Sequence, residues 1–348
     1  MHLRNIVLGA VASAFLLAPA SATTIVTLGA FVNEGGLVDN LSNPSTAEAE
    51  VTALEGQLGG TLHLDSEYVQ WDGFNSVSDL VQAQWDIAGG RTPQITWKFN
   101  FAASSGCVKA TDIYSPPYIY DTAIRNRADA IKNLGGTVLI RFWPGMDTTI
   151  HDCPYNGVDP TLHPDVAGPE FVQAYQHVVD LFRDEGVANA QFVWSPNIHA
   201  FGDNQGNSSN AIWSWFYPGD SYVDWEATSV YNLSTSVMDF DTPLFQTWYS
   251  TMSTHGKPML FSESGANGQD QTACSGGTVG GHPSPGFEWL KSMSTTLYTY
   301  PQVKALVWFD AVASPNSGGC NDLRLRDDNM TEYQHLYQDL PRFQGGHF

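Results

Sequence analysis

The amino-acid sequence predicts a (β/α)₈ barrel, an α/β fold built as a single domain. Eight short runs rich in apolar and β-branched residues alternate with stretches of helical period. The alternation continues along the chain of 348 residues without a low-complexity linker, and this length suits such a barrel. A doubly wound open sheet would show the same alternation. No G-x-G-x-x-G or Walker motif follows the first run, which weakens a nucleotide-binding version of that sheet.

The predicted strands are buried runs bounded by polar, Gly or Pro residues. They cover Ile25–Phe31, Thr61–Val69, Gln94–Phe99, Thr137–Phe142, Ala190–Trp194, Val223–Tyr231, Pro258–Ser262 and Val303–Phe309. Amphipathic stretches between them predict helices, and several carry end signals such as "GPEF" and "DEGV" around the fourth. The predicted helices are Ser45–Leu58, Val77–Ile87, Asp121–Leu134, Glu170–Glu185, Ala211–Phe216, Leu244–Thr254, Phe287–Tyr298 and Met330–Gln338.

The first 22 residues have the pattern of a secretory signal peptide. Arg4 precedes an apolar stretch over Ile6–Ala18, and the small residues "ASA" end at Ala22. We therefore expect cleavage near Ala22, a barrel domain over residues 23–348, and a secreted protein, extracellular or periplasmic. No other segment approaches the roughly 18 apolar residues of a transmembrane helix, so we expect no membrane association.

The amino-acid composition disfavours some classes of binding partner and favours others. The formal net charge is −21, which opposes binding to nucleic acid and to anionic membranes. Charged residues make up only 15% of the chain and aromatic residues 12%, a balance common in exported proteins that handle sugars. We expect a monomer that binds a polysaccharide or oligosaccharide.

Aromatic and polar residues gather where the predicted strands end. In a (β/α)₈ barrel the chemistry lies at this C-terminal edge, and aromatic faces beside carboxylates and amides are typical of a sugar-binding cleft. The alternative is that the tryptophans are core residues at the barrel end. The residues concerned are Trp71-Asp72, Trp97, "RFWPGMD" (141–147), "WSPN" (194–197), Tyr231-Asn232, Glu263 and "WFDA" (308–311).

Glu263 is the strongest single candidate for catalysis. It stands directly after a predicted buried strand in "KPMLFSESG", where a retaining glycosidase would hold its nucleophile. The alternative is a structural carboxylate that pairs with Arg141 or caps the next helix. Histidines and aspartates in the long loops show no metal-ligand spacing, and no G-x-S-x-G motif is present. We therefore expect neither a metal nor a cofactor.

A series of segments in order resembles glycoside hydrolase family 26, secreted (β/α)₈ enzymes that include β-mannanases, mixed-linkage glucanases and xylanases. The segments are "AGGRTPQITWKF", "RADAIKNLGGTVLIRF", "VVDLFRDEGVANAQFVWSPN", "FYPGDSYVDWEATSVYN", "GKPMLFSESG" and "VKALVWFDA". The resemblance implies that Glu263 is the nucleophile, that Tyr231 hydrogen-bonds it and that Arg141 orients neighbouring carboxylates. It also places Trp97 and Trp308 in the cleft.

The fourth strand departs from the family pattern. Its end normally reads Arg-x-x-His-Glu-Met-Asn, with the Glu as general acid/base, whereas this chain has Pro144, Gly145 and Asp147 at the His, Glu and Asn positions. Three explanations compete. Another carboxylate donates the proton, with Asp147 the first candidate and Asp112 and Asp152 the others; or the substrate has a leaving group that needs little protonation; or the protein binds saccharide without cleaving it.

The sequence therefore predicts a secreted glycoside hydrolase, endo-acting and retaining, that acts on a β-linked polysaccharide of mannan, glucan or xylan type or on an unusual glycan. The alternative is a non-catalytic polysaccharide-binding protein on the same scaffold. The residues expected at the cleft, besides Glu263, Asp147, Tyr231 and Arg141, are Trp71, Trp97, Trp143, Trp194, Asn197, Trp225 and Trp308.

The four cysteines predict two disulfides in an exported chain. Sequence alone allows three pairings. Cys107 and Cys153 follow the third and fourth predicted strands, and Cys274 and Cys320 follow the seventh and eighth. Adjacent loops on one rim can close a bridge, so we favour the pairs Cys107–Cys153 and Cys274–Cys320.

Overall fold

Eight parallel strands close into a barrel in the computed structural model, which describes residues 25–33, 44–70, 80–98, 108–148, 155, 157–234, 236–268, 283–313, 321–340 and 343. Each strand pairs with the next, and β1 pairs with β8 from Thr27↔Ala305 to Asn33↔Ala311, which closes the sheet. The strands are β1 Thr27–Asn33, β2 Leu64–Gln70, β3 Thr92–Lys98, β4 Val138–Phe142, β5 Ala190–Trp194, β6 Trp225–Asn232, β7 Met259–Ala266 and β8 Val303–Ala313. The predicted (β/α)₈ fold is confirmed.

Helices cover the outside of the barrel. They are α1 Pro44–Leu58, α2 Val81–Ala88, α3 Ala110–Tyr114, α4 Asp121–Lys132, α5 Pro164–Asp184, α6 Pro243–Met252, α7 Pro285–Thr296 and α8 Asp327–Asp339. A short strand, β9 Asn321–Asp322, pairs antiparallel with the end of β8. In the part of the chain that the structure describes, no helix is long and apolar enough to cross a bilayer.

The segment between β5 and β6 differs from the prediction. Instead of an α-helix over Ala211–Phe216, the chain forms short 3₁₀ helices at Ile198–Phe201, Ser208–Asn210 and Trp213–Trp215. The Phe216 carbonyl accepts a hydrogen bond from Trp194 Nε1 at 2.9 Å, a contact with β5 and not with a helical turn. The structure also contains α3, which the sequence pattern did not predict.

The strands divide their side chains between two cores, because successive Cβ atoms point to opposite faces. One face packs against the helices. The other fills the barrel interior with Phe31, Leu64, Leu139, Val193, Trp225, Ala227, Leu260, Ala305, Val307, Phe309, Ala311 and Leu323, with Tyr68 and Tyr231 packed against them. The interior is therefore a packed core that ends in aromatic rings towards the C-terminal edge.

Candidate active site

Glu263 stands at an irregularity near the end of β7. Ser229 of β6 pairs with Glu263 directly after Thr228 pairs with Phe261, so Ser262 is skipped, and the pairing with β8 also shifts between Phe261 and Ser264. Such bulges redirect side chains and are frequent beside active sites. Ser262 and Ser264 are buried, whereas the Glu263 side chain keeps 18% of its surface exposed. The bulge therefore turns this carboxylate towards the open end of the barrel.

Two side chains from neighbouring strands hold the Glu263 carboxylate. Arg141 of β4 donates from Nη1 to Oε2 and forms a salt bridge, and the Tyr231 hydroxyl of β6 donates to Oε1. Arg141 itself is 1% exposed, and its Nη2 also donates to Ser229 Oγ at 3.3 Å. Both carboxylate oxygens are thus fixed by donors from rigid strands, as a nucleophile requires.

The surroundings of Glu263 lower its pKa. Burial alone would raise the pKa, but the charge of Arg141 and hydrogen bonds from Tyr231, Arg141 and Tyr68 outweigh burial and bring the pKa below the usual range of a glutamate. Glu263 is therefore ionised over the whole range of neutral and mildly acidic pH.

Tyr68 was not among the residues predicted from the sequence. It lies on β2, hydrogen-bonds Glu263 and Arg141, and is half-buried. A signal for it was present, because Leu64 and Tyr68 share the inward face of β2. The sequence does not show which set of alternating side chains faces inward, and this can be assigned only once one inward residue of the strand is known.

The end of β4 turns sharply through two residues of positive φ. Trp143 has φ +57° and Gly145 φ +63°. The Trp143 amide donates to the Trp97 carbonyl at 3.0 Å, and the Gly145 carbonyl accepts from the Thr148 amide at 3.0 Å and from Thr148 Oγ1 at 2.8 Å. The position expected to hold the proton donor is therefore a tight turn built on glycine.

Asp147 follows this turn and is buried, with 3% of its surface exposed. Its Oδ1 accepts a hydrogen bond from the Asn197 amide at 2.9 Å. Burial raises the pKa of Asp147 to about 7, partly opposed by backbone hydrogen bonds from Asn197 and Asp147 itself and by the charge of Arg141. At mildly acidic pH this carboxyl group is protonated and can donate a proton. Asn197 thus positions Asp147 through its backbone, and its own side chain accepts from the His199 amide at 3.0 Å.

Four of the tryptophans expected in the cleft are core residues, which corrects the sequence prediction. Each is at most 1% exposed, and each packs against rings of the helical layer or the loops. The residues, with one ring partner each, are Trp97 with Phe182, Trp143 with Tyr155, Trp194 with Tyr217, and Trp308 with Tyr333. In β5 and β8 the inward neighbours Val193, Val307 and Phe309 fix this orientation, because adjacent residues of a strand point to opposite faces.

Trp225 is also misplaced by the sequence prediction. It does face the barrel interior, but it begins β6 and so lies at the N-terminal end of the barrel, away from Glu263. Its Nε1 donates to Gln191 Oε1 at 2.6 Å, next to a cavity of about 490 Å³ at that end. It cannot stack on a sugar bound at Glu263.

Some predicted features lie outside the described residues. These are the signal peptide over residues 1–22, Trp71, Asp152 and the four cysteines Cys107, Cys153, Cys274 and Cys320. Asp112, a further candidate donor, lies on the short helix α3.

Comparison with known proteins supports the family resemblance at the level of the fold. No model of a known protein family matches the chain. A stretch of 146 residues is 28% identical to Endoglucanase H of Acetivibrio thermocellus, covering 40% of this chain and 14% of that protein. The chain thus matches only about a seventh of the length of this relative.

Solved structures are similar over nearly the whole chain. A glycoside hydrolase family 26 β-mannanase from Bacteroides ovatus has a TM-score of 0.58 at 14% identity, covering 91% of this chain and 89% of the other. The catalytic domain of a family 26 endo-β-1,4-mannanase from Bacillus sp. JAMB-750 gives 0.60 at 15%, covering 91% and 86%. A modular endo-β-1,4-mannanase from Cellulomonas fimi gives 0.61 at 14%, covering 91% and 71%. The resemblance to family 26 in fold is confirmed.

Proposed function

We propose that this protein is a secreted, endo-acting glycoside hydrolase that cleaves a β-linked polysaccharide with retention of configuration, using Glu263 as nucleophile. The observation that carries the proposal is the Glu263 carboxylate at the open end of the barrel, held by Arg141 and Tyr231. A carboxylate that is fixed, ionised and partly exposed is what attack on an anomeric carbon needs. Secretion is supported by the pattern of residues 1–22.

Arg141 and Tyr231 have separable roles in this mechanism. The buried Arg141 charge keeps Glu263 ionised, and the Tyr231 hydroxyl fixes the direction of Oε1. When Glu263 forms a bond to the sugar, its charge is lost and both interactions weaken. Water attack on the glycosyl-enzyme then restores them, so they favour release of the sugar from the enzyme.

Asp147 is the proposed general acid/base. Its pKa of about 7 keeps it protonated in mildly acidic solution, and the Asn197 amide holds it through Oδ1. Of the three residues that replace His, Glu and Asn in the family pattern, only Asp147 can exchange a proton. General acid catalysis contributes about 10²–10⁴-fold to rates of this kind.

The substrate class follows from the similar proteins. The similar structures are β-mannanases, and the sequence relative is an endoglucanase. We therefore propose a polysaccharide of mannan, glucan or xylan type, or an unusual glycan that uses the same barrel opening.

Replacing the nucleophile tests this proposal. Glu263→Ala should lose at least about 10⁴-fold of the reducing-sugar release that wild type shows on its best substrate from a panel of β-mannans, β-glucans and xylans, because no covalent intermediate can form. Binding to the same polysaccharide, measured by affinity electrophoresis, should persist. A matched control is Glu288→Ala on α7, where a partly exposed carboxylate on the outer helical layer is removed.

The same experiment separates the second candidate function, a polysaccharide-binding protein without activity. One observation favours it, because Asp147 is only 3% exposed and the usual donor position is a glycine turn. If wild type binds one of these glycans but releases no reducing sugar from any of them, the enzyme proposal is wrong and the binding function stands.

A further inference from the structure

Tyr68 reaches the nucleophile from the far side of the barrel. It lies on β2, four strands away from β6, which carries Tyr231, in the closed order of eight. Leu64 and Tyr68 line the inward face of β2, and Ser66 between them accepts from Gln94 Nε2 at 2.9 Å. Tyr68 is the last described side chain on this face, at the level of Glu263.

The rings of Tyr68 and Tyr231 both pack against Phe309. The Tyr68 ring meets Phe31 edge-on at 4.8 Å between centroids and Phe309 at 6.4 Å, and the Tyr231 ring meets Phe309 at 6.2 Å. Phe31 and Phe309 are 4.9 Å apart. Edge-to-face rings at these distances attract each other, so both phenol rings are held by packing and not only by their hydroxyl groups.

We propose that Tyr68 is a second positioning tyrosine for the nucleophile, whose hydroxyl donates a hydrogen bond to the Glu263 carboxylate from the side of the barrel opposite Tyr231. The inference rests on the proposed function in that it takes Glu263 as the nucleophile. It adds a residue that the resemblance to family 26 did not supply.

The chemistry of the carboxylate explains the arrangement. An ionised carboxylate has about four acceptor positions on two oxygens, and Arg141 and Tyr231 each occupy one. A third donor removes the remaining rotational freedom of the group and adds a charge-assisted hydrogen bond, which is stronger than a neutral one. Tyr68 contacts both Glu263 and Arg141, so it also fixes the two charged groups relative to each other.

The test is the pKa of Glu263 in Tyr68→Phe. Loss of one hydrogen bond to the ionised form should raise that pKa by about one unit. The pKa is read from the ¹³C carboxyl resonance of Glu263 in protein labelled at glutamate, assigned with Glu263→Gln. In active protein the acid limb of kcat/KM should move to higher pH by the same amount, with a loss of kcat of roughly tenfold and little change in KM.

Two further variants make the result decisive. Tyr300→Phe is the matched control, because its hydroxyl bonds Asp241 at 2.8 Å in a different part of the fold, and it should leave the Glu263 pKa unchanged. Phe31→Leu keeps the hydroxyl but loosens the ring of Tyr68, and it should shift the pKa in the same direction by less. An unchanged Glu263 pKa in folded Tyr68→Phe would overturn the inference. The resonance is measured without substrate, so a protein that cleaves no glycan would refute the proposed function and still give an answer for Tyr68.

Discussion

Two carboxyl groups at the same end of the barrel have pKa values pushed in opposite directions. Arg141 and three hydrogen bonds outweigh burial at Glu263 and lower its pKa, whereas burial dominates at Asp147 and raises its pKa to about 7. A nucleophile must be ionised and a general acid must be protonated, so this separation supports the two roles proposed for Glu263 and Asp147. The assignment depends on individual side-chain contacts, which is why it belongs to the scale of single residues.

Asp147→Asn tests the role of the acid. The amide keeps the size and the Asn197 contact but cannot give up a proton, so activity on natural glycans should fall by about 10²–10⁴-fold. Activity on dinitrophenyl glycosides, whose leaving group needs little protonation, should fall less than tenfold, and the alkaline limb of the wild-type pH profile near pH 7 should disappear. Asp184→Asn, at a side chain that is 65% exposed, is the control and should keep the wild-type rates. Wild-type rates on both kinds of substrate would remove Asp147 from the mechanism.

Replacing Trp308 tests whether the tryptophans near the predicted strand ends are core residues. Its Nε1 donates to the Leu323 carbonyl at 2.8 Å, so Trp308→Phe leaves a buried acceptor without its donor and a gap beside Trp289. We expect the free energy of unfolding in urea to fall by about 2 kcal/mol with an unchanged KM.

The control for Trp308 is Trp215→Phe, because Trp215 is 47% exposed and its replacement should change stability by less than about 0.5 kcal/mol. A large rise in KM for Trp308→Phe at unchanged stability would show that Trp308 contacts the substrate in the cleft.

At the scale of elements, the turn after β4 decides which chemistry the fourth strand can carry. Gly145 adopts φ +63°, a conformation that side-chain-bearing residues reach only with strain. The tight turn keeps Asp147 buried two residues further on, against the Asn197 amide from the β5 loop. The same tight turn therefore has a glycine where the family pattern has a glutamate and leads to a buried aspartate two residues later.

Gly145→Ala tests whether the backbone conformation of this turn requires glycine. We expect the free energy of unfolding to fall by about 1 kcal/mol, because alanine is disfavoured at positive φ. Gly56→Ala is the matched control, since Gly56 lies within α1 with open space around its Cα, and alanine there should instead add up to about 1 kcal/mol. Equal signs for the two variants in urea unfolding would show that the turn at Gly145 accepts alanine without strain.

At the scale of the whole molecule, a layer of carboxyl groups between β2 and α2 links stability to pH. Asp65, Glu67 and Asp86 are each at most 2% exposed, and Gln82 donates to Asp65 at 2.8 Å. Burial raises the pKa of both Asp65 and Asp86, so the folded protein keeps protons on these carboxyl groups to higher pH than the unfolded chain does. The neighbouring Arg91 is bound to Glu55 and reaches Asp86 only at 4.0 Å.

This layer makes a contribution to stability that is largest in acid. A pKa raised in the folded state means that the folded protein binds more protons than the unfolded chain, so its contribution to stability is complete below the ordinary aspartate pKa of about 4 and is lost as pH rises above it. Asp86→Asn removes one titrating group. The decrease in unfolding free energy between pH 4 and pH 8 should be smaller in this variant by about 1 kcal/mol or more.

Asp184→Asn serves as the control for Asp86, because the Asp184 side chain is 65% exposed, and it should follow the wild-type dependence on pH. An Asp86→Asn variant with the full wild-type slope would show that Asp86 does not bind its proton in this range.

The alternation of apolar strands and amphipathic helices determined the barrel, and all eight predicted strands overlap observed ones. Residue order also gave Glu263, Arg141 and Tyr231, since each stands at a strand end in a segment that resembles family 26. In the folded chain Arg141 and Tyr231 both hydrogen-bond the Glu263 carboxylate.

Only the tertiary structure decided which face each strand-end side chain takes. Trp194, Trp308 and Glu263 all lie at or near the ends of the strands predicted from the sequence. In the structure, the alternation of side chains along a strand sends the two tryptophans outward, and the bulge in β7 turns Glu263 inward. Tyr68 lies on β2, four strands from β6, and it contacts Glu263 because the sheet closes into a barrel. A sequence lists which residues end each strand, whereas parity, bulges and closure across the barrel are properties of the folded chain and determine which of them meet.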